Sequence, residues 1–129
     1  MSAILEKAKA LQLPKGQYVI IGSGLLDAWG LRVSHDLDIV VNVELFETLR
    51  NSGAYAIEEK YNDEVLIGDD IEIWRDWKAD ATFEVLLGSA VEVDGVLFAH
   101  PDIIMKRKTE RSSPKDVEDI RLLKEYLGK

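Results

Sequence analysis

The chain has 129 residues, 47% of them hydrophobic and 31% charged, with 24 acidic against 16 basic side chains and a formal net charge of −8. That length suits one domain with a core of its own, and the acidity weighs against nonspecific duplex binding driven by counterion release. The lack of cysteine excludes disulfides, zinc–thiolate sites and thiol catalysis. Two histidines, His35 and His100, are too few for a histidine-rich metal centre. No run approaches the ~18 apolar residues of a membrane span, and Met1-Ser-Ala-Ile-Leu-Glu-Lys7 lacks a signal-peptide pattern, so a cytoplasmic protein with no membrane partner is expected.

In chain order, Ser2 to Leu11 reads as a short helix with Ile4, Ala8 and Leu11 on one stripe, Ser2 as its cap, and Leu13-Pro14-Lys15-Gly16 closing it. Tyr18 to Ile21 is a strand that runs into Gly22-Ser23-Gly24. A helix from Gly24 to Leu31 and a strand from Asp36 to Val41 follow. Val43 to Ser52 reads as a helix with Val43, Phe46 and Leu49 or Arg50 at helical spacing, ended by Gly53. Tyr55 to Tyr61 and Glu64 to Ile67 read as strands turned at Asn62-Asp63, and Ile71 to Trp74 and Ala81 to Leu87 as further strands. Val91 to Val93 and Val96 to Phe98 flank Asp94-Gly95, a strong hairpin signal. Pro101 to about Glu110 is helical, and Ser112-Ser113-Pro114 breaks the chain. Ser113 with Asp116 then forms a capping box that opens a last helix with Val117, Ile120, Leu123 and Leu127 as its buried stripe. The expected architecture is one α+β domain over 1–129. A mixed β-sheet with helices packed on one side forms the core at about 17–98, and a C-terminal helical pair covers about 101–128.

Asp36 and Asp38 lie two apart on a strand, hence on one face, roughly 6.6 Å from each other along it. At an effective dielectric near 20 their repulsion is about 2.5 kcal/mol, which a divalent cation between them would convert into ligation. The bland alternative is a half-exposed edge strand whose outward residues are acidic. Gly22-Ser23-Gly24 at a helix start offers uncovered backbone N–H groups suited to a phosphate, or simply lets a strand turn into a helix. A dinucleotide fingerprint fits poorly, because position 27 is Asp where a third glycine would stand. Lys106, Arg107, Lys108, Arg111, Lys115 and Arg121 form a local basic cluster, suited to a triphosphate or a short RNA end, or else a solvated helical face.

Gly22-Ser23, a twelve-residue spacer, and Asp36-x-Asp38 within an apolar strand together resemble the signature of the nucleotidyltransferase superfamily, the DNA polymerase β-like fold. The tail is similar to that of small toxin-type members from abortive-infection systems. The matching residues are His100-Pro-Asp-Ile-Ile-Met-Lys106, then Arg107, Lys108 and Arg111, then Pro114-Lys115-Asp116-Val-Glu-Asp119. The resemblance implies a third acid on a later strand, for which Glu72 in Asp70-Ile-Glu72-Ile-Trp74 is preferred over Glu84 in Thr82-Phe-Glu84-Val. It implies Asp36, Asp38 and Glu72 as catalytic ligands of Mg2+ or Mn2+, and Gly22, Ser23 and Gly24 as the cradle of ATP or another nucleoside triphosphate (NTP). Lys106 would reach the triphosphate, and Lys115, Asp116 and Asp119 would line the cleft. Arg32 and Ser34 would touch phosphate or acceptor; His35 shapes a turn. Trp29 is expected in the core, and Trp74 or Trp77 either stack on a base or pack against the sheet.

The expected activity is transfer of a nucleoside monophosphate from an NTP to a hydroxyl acceptor, which is a small molecule, an RNA end or a protein. Larger members carry a helical acceptor-binding domain after the core, so a homodimer mate or a partner protein would complete the site here. A catalytically degenerate nucleotide-binding antitoxin or regulatory module of the same fold is the alternative. An acidic interaction protein with coincidental motifs is the third reading.

Overall fold

The computed structural model describes residues 2–61, 63–75 and 82–128. Strand β1 (Tyr18–Ile21) is the four-residue apolar run Tyr-Val-Ile-Ile, buried along its whole length. Full burial of consecutive residues means that both faces of the strand are covered. It pairs antiparallel with β2 (Leu37–Val41), with Ile21 opposite Asp38. On its other side β2 runs parallel to β5 (Ile71–Trp74), with Asp38 opposite Glu72. Strands β3 (Ala56–Lys60) and β4 (Asp63–Gly68) extend the sheet by antiparallel pairing onto β5. Beyond β1 lie β7 (Val96–Phe98), parallel to it, and then β6 (Val91–Val93). Among the described residues the mixed sheet has seven strands, in the order β3-β4-β5-β2-β1-β7-β6. Its outermost strand β3 is almost wholly exposed, consistent with its Glu-Glu-Lys ending.

Helix α1 (Ala3–Ala10) begins at Ser2, whose hydroxyl accepts from the Leu5 N–H at 3.0 Å. It packs Ile4, Leu5 and Ala8 inward. Helix α2 is a single short element (Gly24–Ala28), not the two turns expected. Gly30 ends it in the left-handed region at φ +73°. Leu31 N–H donates to Leu26 O at 2.8 Å and Gly30 N–H to Asp27 O at 3.0 Å, the paired bonds of a Schellman stop. Gly24 is fixed by packing: a Cβ there would meet Ile20 Cγ2 at 2.9 Å and Ile4 Cγ2 at 3.2 Å.

Helix α3 (Val43–Asn51) is capped by Asn42, and its buried residues are Leu45 and Phe46 while Val43 is exposed. The Val43-based stripe is therefore displaced, because the cap puts Val43 at the first helical position, facing out. The segment expected as a strand over 81–87 is instead helix α4 (Phe83–Gly88) in its described part. Thr82 caps it by accepting from Val85 N–H at 3.4 Å, and Phe83 and Leu86, three apart, are buried while Glu84 and Val85 are exposed. An apolar run this short fits both periods, and the N-cap decides it. Asp94 and Gly95 both take positive φ, +52° and +81°, as a two-residue hairpin turn requires.

Helix α5 (Pro101–Arg111) and helix α6 (Pro114–Leu127) pack on each other, separated by Ser112 in the left-handed region at φ +54°. The capping box of Ser113 and Asp116 forms as expected. The stripe of α6 does not: Val117 and Leu127 are exposed, and the buried residues are Asp116, Asp119 and Leu123. Two carboxylates thus face the protein, and their partners explain why. Among the described residues no helix is long and apolar enough to cross a membrane.

Candidate active site

Cross-strand partners in a sheet project to the same face about 4.8 Å apart. The parallel register of β2 and β5 therefore makes neighbours of Asp38 and Glu72. Asp36 sits in the loop just before β2, and Asp70 in the turn before β5, at φ +57°. The Asp70 carbonyl accepts from Leu37 N–H at 2.8 Å, which ties the two loop ends together. Asp36, Asp38, Asp70 and Glu72, with Ile67, Gly68 and Ile71, line a cavity of ≈330 Å³. Asp38 is half-buried, and its carboxyl is pushed up to about 6, first by burial and then by the charges of Glu72 and Asp36, against the pull of Arg111 and Lys60. Glu84 lies exposed on α4 and does not line the cavity, so Glu72 is the acid that the fold brings to the Asp pair.

Do these residues suit a divalent cation? The donor set does: the charges of Glu72 and Asp36 raise the Asp38 carboxyl, a repulsion among hard oxygens that a cation would relieve. The arrangement is not preset, however. Glu72 is paired with the Lys60 ammonium from the end of β3. Among the described residues, no three His, Cys, Asp or Glu side chains already converge as a metal-binding group.

The turn after β1 supplies the second wall. Gly22 has φ +73°, and a Cβ on it would sit 3.2 Å from Asp38 Oδ2. A side chain here would crowd the acid, so glycine is required on two counts. Ser23 stands at the N-cap of α2 but makes no capping bond with its side chain. Its hydroxyl accepts from Lys108 Nζ at 3.0 Å and donates to Asp119 Oδ2 at 3.3 Å. Gly24 is buried in the contact with Ile20 and Ile4. The loop from Leu31 to Asp36 is held by buried Asp27, which accepts from Ser34 N–H at 2.7 Å and Ile4 N–H at 3.3 Å. Burial pushes the Asp27 carboxyl up, but these bonds and one from Ser2 outweigh it and hold the group below its ordinary range. Lys7 donates to the His35 carbonyl at 2.8 Å, which leaves the exposed His35 ring outside the acid cavity.

The Ser23 bonds lead into a buried charge cluster. Lys108 on α5 is 1% exposed and Asp119 on α6 is 0% exposed, with Nζ and Oδ2 2.8 Å apart. Arg32 completes the group with a two-pronged contact, Nε to Oδ1 at 2.5 Å and Nη2 to Oδ2 at 2.8 Å. Burial alone would raise the Asp119 carboxyl, but Arg32 and Lys108 bring it down to about 2. Asp116 adds a second anion 3.7 Å from Lys108 Nζ, and it accepts from Arg111 Nη2 at 3.0 Å. Lys106 and Lys115 are both exposed and line neither the acid cavity nor this cluster. The cation that reaches Ser23 is Lys108. It stands four residues after Ile104 on the buried face of α5, and its charge hides that burial from a reading by periodicity. Trp29 is partly buried, edge-on to Tyr126 at 4.4 Å between ring centroids; Trp74 stacks with exposed Tyr61 at 6.3 Å. Trp77 lies outside the described residues.

No protein-family model matches the chain, and no curated protein matches it. A solved structure does: ANT(2")-Ia in complex with adenylyl-2"-tobramycin, an aminoglycoside nucleotidyltransferase, at a TM-score of 0.58 and 20% identity. The match covers 97% of this chain and 86% of that chain. This chain has a nucleotidyltransferase-like fold. At this identity the likeness is one of architecture. It spans the C-terminal helical pair as well as the sheet, because nearly the whole chain is covered.

Proposed function

We propose that this chain is a divalent-metal-dependent nucleotidyltransferase, with Asp36, Asp38 and Glu72 as metal ligands and the Gly22-Ser23 turn as the wall that receives the triphosphate. The observation that carries this reading is the juxtaposition of Asp38 on β2, Glu72 on β5 and Asp36 in the loop before β2 with a glycine turn pressed against Asp38. The architecture shared with ANT(2")-Ia, whose complex holds adenylyl-2"-tobramycin, supports the same reaction class.

Bound Mg2+ or Mn2+ would neutralise the triphosphate, lower the pKa of the acceptor hydroxyl and stabilise charge developing at the α-phosphorus. The chain's own residues do the rest. Asp36, Asp38 and Glu72 would hold the cation and orient the substrates. Backbone N–H groups at Gly22-Ser23 would face the phosphates, while the Ser23 hydroxyl, already engaged by Lys108 and Asp119, fixes the turn rather than the ligand. The acceptor oxygen attacks the α-phosphorus in line as the bond to the bridging oxygen of the β-phosphate breaks. Pyrophosphate leaves with that electron pair. The hydroxyl proton passes to a carboxylate of the pocket or to solvent. Lys106 and Lys115, exposed on α5 and at the start of α6, remain candidates for the outer phosphates. The acceptor is a hydroxyl compound that tolerates an acid-lined pocket, and a mate in a homodimer or another protein would enclose it.

Lys60 favours a second reading. With Glu72 held by an ammonium, the chain would be a catalytically degenerate nucleotide-binding module of the same fold. Incubation with α-labelled NTP, Mg2+ and pools of small-molecule, RNA and protein acceptors separates the two. The enzyme reading expects label transfer that disappears in Asp36→Asn/Asp38→Asn. Nucleotide binding without transfer to any pool supports the degenerate module.

A further inference from the structure

We propose that Arg111 is a phosphate-anchoring residue of this cleft, a cation that meets the outer phosphates of the bound triphosphate alongside exposed Lys106 and Lys115; this rests on the nucleotidyltransferase reading above. The cations around the two walls differ in what they are already bound to. Lys108 is nearest to Ser23 but is fully buried and shared among Asp119, Ser23 and Asp116. Arg32 commits two nitrogens to Asp119. Lys60 is paired with Glu72, and Lys7 with the His35 carbonyl. Arg111 differs from these: its side chain is 58% exposed, and its bond to Asp116 uses one of the five donors of a guanidinium.

Its position follows from an unbroken line of contacts. Asp38 abuts Gly22, the next residue Ser23 binds Lys108, Lys108 lies 3.7 Å from Asp116, and Asp116 binds Arg111. That line puts the Arg111 guanidinium two side chains, Asp116 and Lys108, from the Ser23 hydroxyl.

Local backbone chemistry holds it there. Ser112, at φ +54°, donates its N–H to Lys108 O at 2.8 Å and stops α5 at Arg111. Ser113 then engages Asp116 Oδ2, with its hydroxyl at 2.7 Å and its N–H at 3.3 Å. That leaves Oδ1 to hold Arg111. One carboxylate thus caps α6 and orients the arginine. A planar guanidinium with open donors is suited to two phosphate oxygens at once. Arg121 supplies the contrast. Its side chain is 57% exposed, but it lies along α6 with its nitrogens on Glu118 and Glu125.

The test is calorimetric titration of each of the four ribonucleoside triphosphates with Mg2+ into wild type, Arg111→Gln, Arg111→Lys and Arg121→Gln, with Mn2+ alone as a separate titrant. The expected result is a loss of about tenfold or more in triphosphate affinity for Arg111→Gln, the scale of one charge-assisted phosphate contact. Arg111→Lys recovers part of it, Arg121→Gln matches wild type, and Mn2+ affinity and melting temperature stay unchanged in all three. Triphosphate binding by Arg111→Gln equal to that of wild type overturns the proposal and leaves the acid-pocket reading standing. Failure of wild type to bind any triphosphate overturns both.

Discussion

Asp38 and Asp119 lie on opposite sides of the Gly22-Ser23 turn, one against Gly22 and the other bonded to Ser23, and the fold treats them in opposite ways. Asp38 shares its pocket with Asp36, Glu72 and Asp70, and burial plus like charge push it up to about 6. Asp119 is more deeply buried, yet Arg32 and Lys108 hold it at about 2. Depth alone does not decide the charge state of a buried acid; what has been placed beside it does. The α6 side is a finished electrostatic unit whose work is to hold the turn in place. The β2–β5 side is unfinished: four carboxylates line its pocket, and the Lys60 ammonium pairs with one of them, Glu72.

The comparison is most sharply tested by breaking the finished side. Lys108→Met or Asp119→Asn alone should cost ~3–5 kcal/mol of stability, since each strands a buried partner charge. The double variant should cost clearly less than the sum of the two; urea denaturation at pH 7 reads all three.

The opposite sign is expected across the turn. Because the folded pKa of Asp38 lies above its unfolded value, the native state takes up a proton as pH falls, and stability from this group rises between about pH 6 and 4. Asp38→Asn should therefore stabilise the chain at pH 7 by about 1–3 kcal/mol and remove that rise. Asp119 runs the other way. Its folded pKa is depressed, so its contribution is present above about 4 and is lost as pH falls toward 2. Urea midpoints from pH 3 to 7 for wild type and Asp38→Asn check both limbs.

Gly22→Ala meets both sides at once. A positive φ and an Asp38 oxygen at 3.2 Å predict a loss of about 1–2 kcal/mol in thermal or urea unfolding. The smallest stability effect belongs to Lys60→Met. The pair with Glu72 is partly exposed, so the melting temperature should hardly move. Mn2+ affinity should rise several-fold, because Glu72 is released to the other acids; unchanged Mn2+ affinity would mean that Lys60 does not compete for it.

Much of this was legible in the sequence, and the misreadings have two causes. Alternation placed Asp38 and Glu72 on strands, and the register of β2 with β5 sets them side by side. Asp94-Gly95 and the Ser113–Asp116 box carry their backbone requirements in residue type, so both features form where they were read. What periodicity could not show was tertiary compensation. Lys108, Asp116 and Asp119 look like solvent-facing positions until their partners are known, which is why the α6 stripe was drawn through exposed Val117 and Leu127. Residues 81–87 failed differently. Over so few positions a buried strand and one helical turn have the same apolar content, and the Thr82 cap is the deciding signal.

On the nucleotidyltransferase reading, a cation and a triphosphate complete the unfinished side. The most direct test is Mn2+ binding followed by electron paramagnetic resonance, with and without ATP, on wild type and Asp36→Asn/Asp38→Asn. Wild type is expected to bind Mn2+, more tightly with ATP, and the folded double variant to show neither. Equal Mn2+ binding by both proteins, or none by wild type even with ATP present, would contradict that reading.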